Sequence, residues 1–130
     1  MLQMFLAIPI LLSVVVNGEA VPGSVDHNTT YRLIEIDTVP FQRLATISFP
    51  APGTIRGKGP CNSFAAELTA PLPRIQIGAI RATRRGCPDL AQETLFFNAL
   101  ESMMWIEISG ATLILRNEAG RELVFQAEPR

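Results

Sequence analysis

The sequence predicts an α+β fold: a curved, mainly antiparallel β-sheet packed around one α-helix, forming a single small domain. Three observations lead there. Short segments rich in β-branched and aromatic residues alternate apolar and polar positions along most of the chain. Turn-forming Pro, Gly and Asn separate them at hairpin-sized intervals, which favours antiparallel neighbours. One stretch alone, from Pro88 to about Met103, changes to helical spacing.

The elements follow in order. YRLIEID (31–37) reads as a strand ended at Pro40, and LATISF (44–49) sets Ala45, Ile47 and Phe49 against Leu44, Thr46 and Ser48. PAPG (50–53) makes a turn. TIRGKG (54–59) and SFAAELT (63–69) then flank a cysteine loop, with Phe64, Ala66 and Leu68 on one face. PLP (71–73) breaks the chain, and RIQIGAI (74–80) places Ile75, Ile77 and Ala79 opposite Arg74, Gln76 and Gly78. In the helix, Leu90, Phe97, Leu100 and Met104 recur on one face, with Phe96 and Met103 beside them. Pro88 suits a first helical turn, and Asp89 and Glu93 suit the positive end of the helix dipole. The aromatic and methionine stripe reads as core, because a lone helix must bury its apolar face. WIEIS (105–109), TLILRN (112–117) and RELVFQA (121–127) complete an antiparallel meander through tight turns.

Ahead of this domain, MLQMFLAIPILLSVVVNGEA is apolar from Met4 to Val16 and then turns polar and small. The run is short for a membrane span and carries Pro9, so residues 1–20 read as a signal peptide cleaved near Ala20. Retention as an uncleaved membrane anchor is the alternative. Residues 21–30 have linker composition, and 31–130 form the domain. A periplasmic or secreted protein is expected, without a stable membrane span after cleavage.

Composition removes several function classes. Eleven Lys and Arg against twelve Asp and Glu lack the basic footprint of a nucleic-acid binder. A single histidine, His27, excludes a His-based triad or a multi-histidine metal site within one chain. No cofactor and no metal are expected, and the near-neutral balance gives no reason to expect steering of a charged partner. The expected protein is a monomeric non-enzyme whose partner is a small ligand or another protein.

Cys61 and Cys87 are the two cysteines. In an exported chain an even count favours a disulfide, and both residues fall at ends of elements, where approach is feasible. Closing a loop of about 26 residues is worth roughly 3–4 kcal/mol on the chain-entropy view. A redox thiol is the sharper alternative. Cys87 precedes a helix N-terminus and follows Arg84 and Arg85, features that stabilise a thiolate, and Cys61 would be its resolving partner. Asn62, in a tight turn, is expected to shape the loop, and Arg84 to bond that loop or stand in solvent.

Three stretches then carry a resemblance: GPCNSFAAELT, IRATRRGCPDLAQETLFFNALESM and ISGATLILRNEAGRELVF. In order, they resemble the META domain family of HslJ-like heat-shock-inducible proteins. Gly59, Cys61, Asn62 and Phe64 match a Gly-x-Cys-Asn turn followed by an aromatic residue. Thr83, Arg84, Cys87 and Pro88 match a Thr-Arg-x-x-Cys-Pro run leading into a helix. Glu93, Phe97 and Leu100 fall at its helix positions, and Leu113, Leu115, Gly120 and Arg121 match a closing hairpin. Tyr31 stands where the family often has Trp, and no cysteine takes a lipid. The resemblance implies an antiparallel sheet packed on one helix, in an exported envelope protein associated with stress or antibiotic tolerance, and makes a protein partner an envelope protein. It assigns these motif residues structural roles and supplies no catalytic ones.

Overall fold

The computed structural model describes residues 19–20, 25–69 and 71–129. Its strands are β1 (Glu19–Ala20), β2 (Thr30–Ile36), β3 (Val39–Pro40), β4 (Thr46–Ser48), β5 (Thr54–Lys58), β6 (Ser63–Thr69), β7 (Gln76–Ile77) and β8 (Arg81–Ala82). The helix α1 (Leu90–Glu101) follows, and β9 (Trp105–Ser109), β10 (Thr112–Arg116) and β11 (Glu122–Ala127) end the chain. The sheet runs β1-β9-β10-β11-β2-β4-β5-β6-β7, with β3 on β2 and β8 on β6. Every strand pair among the described residues is antiparallel. The result is the curled half-barrel of an α+β domain.

Of the expected leader, only Glu19 and Ala20 are described; they pair with Ser109 and Ile108 at the outer edge of β9. No helix among the described residues is long and apolar enough to cross a membrane. In the expected linker, Val25 packs against the core and Thr30 already pairs with Ser48. Asp26 organises the turn between them, its carboxylate accepting from the Asn28 amide and the Thr29 hydroxyl.

The curl closes through residues 73–75. Ile75 donates its amide to the Met104 carbonyl at 2.8 Å, Ile106 donates to Pro73 at 2.9 Å, and Arg74 bridges Trp105. The expected strand over 74–80 is thereby cut to Gln76–Ile77, because Arg74 and Ile75 turn away to pair with the start of β9. Inside the curl, Phe96 is fully buried and its ring meets those of Phe41, Phe64, Phe97 and Phe125. Alternating inward residues of the sheet, among them Leu33, Ile47, Ile55, Leu113 and Leu123, pack around it.

The helix departs from the expected face. Leu90 is 47% exposed, whereas Glu93, Phe96, Ala99 and Leu100 are buried, with Met103 just beyond the helix end. The buried stripe is thus Glu93–Phe96–Leu100–Met103 rather than Leu90–Phe97–Leu100–Met104. The apolar count favoured the second stripe; a buried acid rotated the helix onto the first. Pro88 lies in the turn before the helix, and the Asp89 carboxylate makes no capping bond but pairs with Arg43 at 2.7 Å.

The two-residue turn joining β2 to β3 holds Asp37 at φ 50° and Thr38 at φ 69° without a glycine. A mirror-image turn of this kind matches strand twist, but a β-branched residue at positive φ is strained. Contacts with β11 hold it. Asp37 donates its amide to the Glu122 carbonyl at 2.8 Å and accepts the Glu122 amide at 2.9 Å, and Arg121 adds a bond to the same carboxylate. The Glu122 amide first, and Arg121 after it, hold the Asp37 carboxyl below the usual carboxylate range.

Thr38→Gly is expected to raise stability by about 1 kcal/mol in urea denaturation, by relieving the left-handed strain. A lower midpoint would show that Thr38 is not strained. Because the Asp37 pKa is depressed on folding, its contribution is present above the ordinary carboxylate value of about 4 and is lost as pH falls through the lowered folded value. Asp37→Asn should therefore be less stable than the parent at neutral pH and converge with it in acid, as read by thermal melts across pH.

Candidate functional site

The two cysteine motifs meet where the loop between β5 and β6 faces the start of α1. Cys61 and Cys87 are joined in a disulfide, with Cα atoms 5.7 Å apart and 26 residues between them in sequence. Both are half-buried. Cys87 accepts the Leu90 amide at its carbonyl, so the bridge fixes the loop directly to the beginning of the helix.

Beneath the bridge lies Glu93, in the first turn of α1 and only 3% exposed. Its Oε2 accepts the amides of Cys61 and Asn62, each at 2.7 Å, and its Oε1 accepts the Asn62 side-chain amide at 2.6 Å. No cation among the described residues takes part. Hydrogen bonds to a carboxylate are roughly twice as strong as neutral ones, and the positive end of the helix favours the same charge. A buried carboxylate would otherwise cost several kcal/mol, so these donors are what make its burial tolerable.

Asn62, 5% exposed, uses all its hydrogen-bonding capacity. Its amide and one side-chain hydrogen go to Glu93, and the other side-chain hydrogen goes to the Arg85 carbonyl at 3.1 Å. Its Oδ1 accepts the Arg85 amide at 2.6 Å and the Thr83 hydroxyl at 2.9 Å, while its carbonyl accepts the Gly59 amide at 2.7 Å. Only a primary amide offers paired donors and paired acceptors on one short side chain. The side chain therefore ties three segments together: its own turn, residues 83–85 and α1.

The remaining motif residues have defined places. Gly59 is buried against the carboxylate, and a Cβ there would stand 2.6 Å from Glu93 Oε2; glycine is needed for closeness. Phe64 is buried in β6, edge-on to Phe96 and Phe97. Thr83 donates its amide to the Ser63 carbonyl as well as its hydroxyl to Asn62. Arg84 is exposed and makes no hydrogen bond or ion pair among the described residues. Arg85 contributes its backbone rather than its guanidinium.

Glu93 was legible in the sequence as a charge suited to the helix dipole and as one of the helix positions of the family resemblance, but not as the acceptor beneath the cysteine loop. The missed signal was its spacing: it sits three residues before Phe96 and seven before Leu100, so an acid occupies the apolar stripe. Chemically, the arrangement is a clamp. It fixes the cysteine loop, the 83–87 segment and the helix start, and it leaves Asn62 nothing to offer a ligand.

A groove of about 440 Å³ lies elsewhere, between the β2–β3 hairpin and α1. Val39, Phe41 and Leu95 form its apolar wall, and Arg43 and Arg121 stand at its rim. The Gln92 Oε1 atom is buried there without a hydrogen-bond partner among the described residues.

The fold and the clamp together define a small disulfide-linked α+β half-barrel. The family model of the META domain matches residues 24–130, and the chain belongs to that family. Among solved structures it is similar to the NMR structure of a protein from Burkholderia xenovorans, with a TM-score of 0.64 and 19% identity; the match covers 78% of this chain and 83% of that one. That likeness concerns the fold. No curated protein sequence matches the chain.

Asn62→Asp is expected to cost about 3–5 kcal/mol, because it sets a second carboxylate against Glu93 and removes two donors. Glu93→Gln should cost a comparable amount, since one amide nitrogen would then face N–H donors. Urea denaturation of the oxidised proteins measures both, and changes below about 1 kcal/mol would remove the clamp from the stability of the domain.

Proposed function

We propose that the chain is an exported, non-enzymatic module of the bacterial envelope, working in stress response by binding rather than by chemistry. The observation that carries this reading is the Cys61–Cys87 bridge seated on a clamp whose polar groups are engaged in structure. A disulfide belongs to an oxidising compartment, which agrees with the apolar leader over residues 1–20. The META family accords with an envelope role.

Redox work by Cys87 is the competing function. The half-burial of both cysteines gives that reading its opening, because a reductant could reach the bridge. The clamp weighs against it. Reduction would leave Glu93 and Asn62 still holding the loop beside the helix, so the thiols would stay close, and a thiol oxidant of an oxidising compartment, by taking two electrons as two protons leave, would restore the bridge.

Protein isolated from the periplasm should alkylate at neither cysteine unless a strong reductant is applied first, as read by mass spectrometry. A bridge opened by mild glutathione, with Cys87 alkylating fast, would establish the redox reading instead. Replacing both cysteines by alanine should lower stability by roughly 3 kcal/mol while the fold is retained. Recovery of the protein only in the cytoplasm would overturn the export part of the proposal.

A further inference from the structure

The outward face of the sheet gathers cations that the net charge conceals. Strand register lays two cross-strand rows side by side: Arg32, Thr46, Lys58 and Ser63 in one, and Thr30, Ser48, Arg56, Ala65 and Arg81 in the other. Arg32, Arg56, Lys58 and Arg81 are exposed. None of them forms an ion pair among the described residues, whereas Asp37, Asp89, Glu107 and Glu122 engage Arg121, Arg43 and Arg116 elsewhere. Just past β8, Arg84 and Arg85 are exposed as well. Of the acids near this face, Glu67 lies toward the end of β6, and Glu128 lines depressions that it shares with Arg32, Arg56 and Lys58, so the four cations there face two acids.

From this face we infer that the outward side of β4, β5, β6 and β8 docks on an anionic lipid surface, reading phosphate headgroups by charge. Spacing favours an extended surface over a pocket for one small anion. Arg56 and Arg81 are separated by the strand of Ala65, and Arg32 and Lys58 by that of Thr46, so each pair stands two strands apart, about 10 Å. The cations are spread over three strands, β2, β5 and β8, rather than gathered at one point, and such a spread suits a plane of many phosphates. Hydroxyls of Ser48 and Ser63 stand among them as further donors, while the buried Thr46 hydroxyl accepts the Lys58 amide.

An apolar group selects a bilayer over a soluble polyanion. Leu44 is 48% exposed and borders the same shallow depression as Arg56, Lys58 and Ser63. Beside cations, such a side chain can enter the headgroup region as interfacial anchors do. Each cation near an anionic surface contributes on the order of 1 kcal/mol, and the effect falls within a Debye length. The envelope setting rests on the proposed export, but the binding itself does not.

The test is co-sedimentation of the full chain with phosphatidylcholine vesicles, with and without phosphatidylglycerol. All variants carry the same N-terminal segment, so the difference between the two lipids isolates the sheet face. Binding to the anionic vesicles should be favoured at low salt and fade as salt rises. The triple change Arg56→Glu, Lys58→Glu and Arg81→Glu should weaken it about a hundredfold, with an unaltered thermal melt. A milder set, the same positions to Gln, guards against misfolding and should lose most of the preference. Leu44→Asn should weaken binding several-fold, and excess inorganic phosphate should compete poorly. Equal binding to both lipids, or anionic binding untouched by the charge changes, overturns the inference. Full competition by soluble polyphosphate together with indifference to Leu44→Asn would also overturn it, in favour of a soluble polyanion. Failure of export leaves the vesicle result standing, and failure on vesicles leaves the export result standing.

Discussion

The Glu93 carboxylate lies out of water at the start of α1 and accepts the amides of Cys61 and Asn62 together with the Asn62 side chain. Much else follows from housing that charge. The helix must turn Glu93 inward, which brings Phe96, Leu100 and Met103 into the core and leaves Leu90 outside. The loop must come within hydrogen-bonding distance, which admits only glycine at position 59. Asn62 must satisfy the carboxylate and the 83–85 segment at once. The disulfide then covers a junction already arranged by hydrogen bonds.

Two closures of different physical kinds hold the half-barrel. At the clamp, a covalent bond and charge-assisted hydrogen bonds fix the helix to the β5–β6 loop. On the opposite course of the chain, backbone pairing of residues 73–75 with the start of β9 brings the sheet round toward itself. Between them, the ring contacts of Phe96 fill the interior. Side chains fill the interior, and the groove at the strained β2–β3 hairpin and the cationic sheet face are two of the outer surfaces open to a partner.

The charge arrangement shows how composition and surface diverge. Eleven cations and twelve acids nearly cancel, and the sum gave no reason to expect an anionic partner. Strand register decides otherwise. Alternation sends Arg56 and Lys58 to the outer face of β5, and pairing aligns them with outward residues of β4, β6 and β8. Several acids meanwhile engage the arginines of β10 and of the β10–β11 turn, away from that face.

Alternation in LATISF, SFAAELT and the three closing segments determined the strands, because the two-residue period of a half-buried strand survives in any tertiary setting. The single helical stretch, the two cysteine motifs and their order were equally local, and they marked the META family resemblance as well as the α+β class. Three things waited for the tertiary structure. The helix face was decided by a buried acid whose partners lie 31 and 32 residues away in sequence. The strand over 74–80 was shortened by β9, whose pairing no local pattern encodes. The cationic face arose from register among strands brought together by folding. In each case the deciding partner was remote in sequence, and hydrogen-bond satisfaction or strand pairing overrode the local preference.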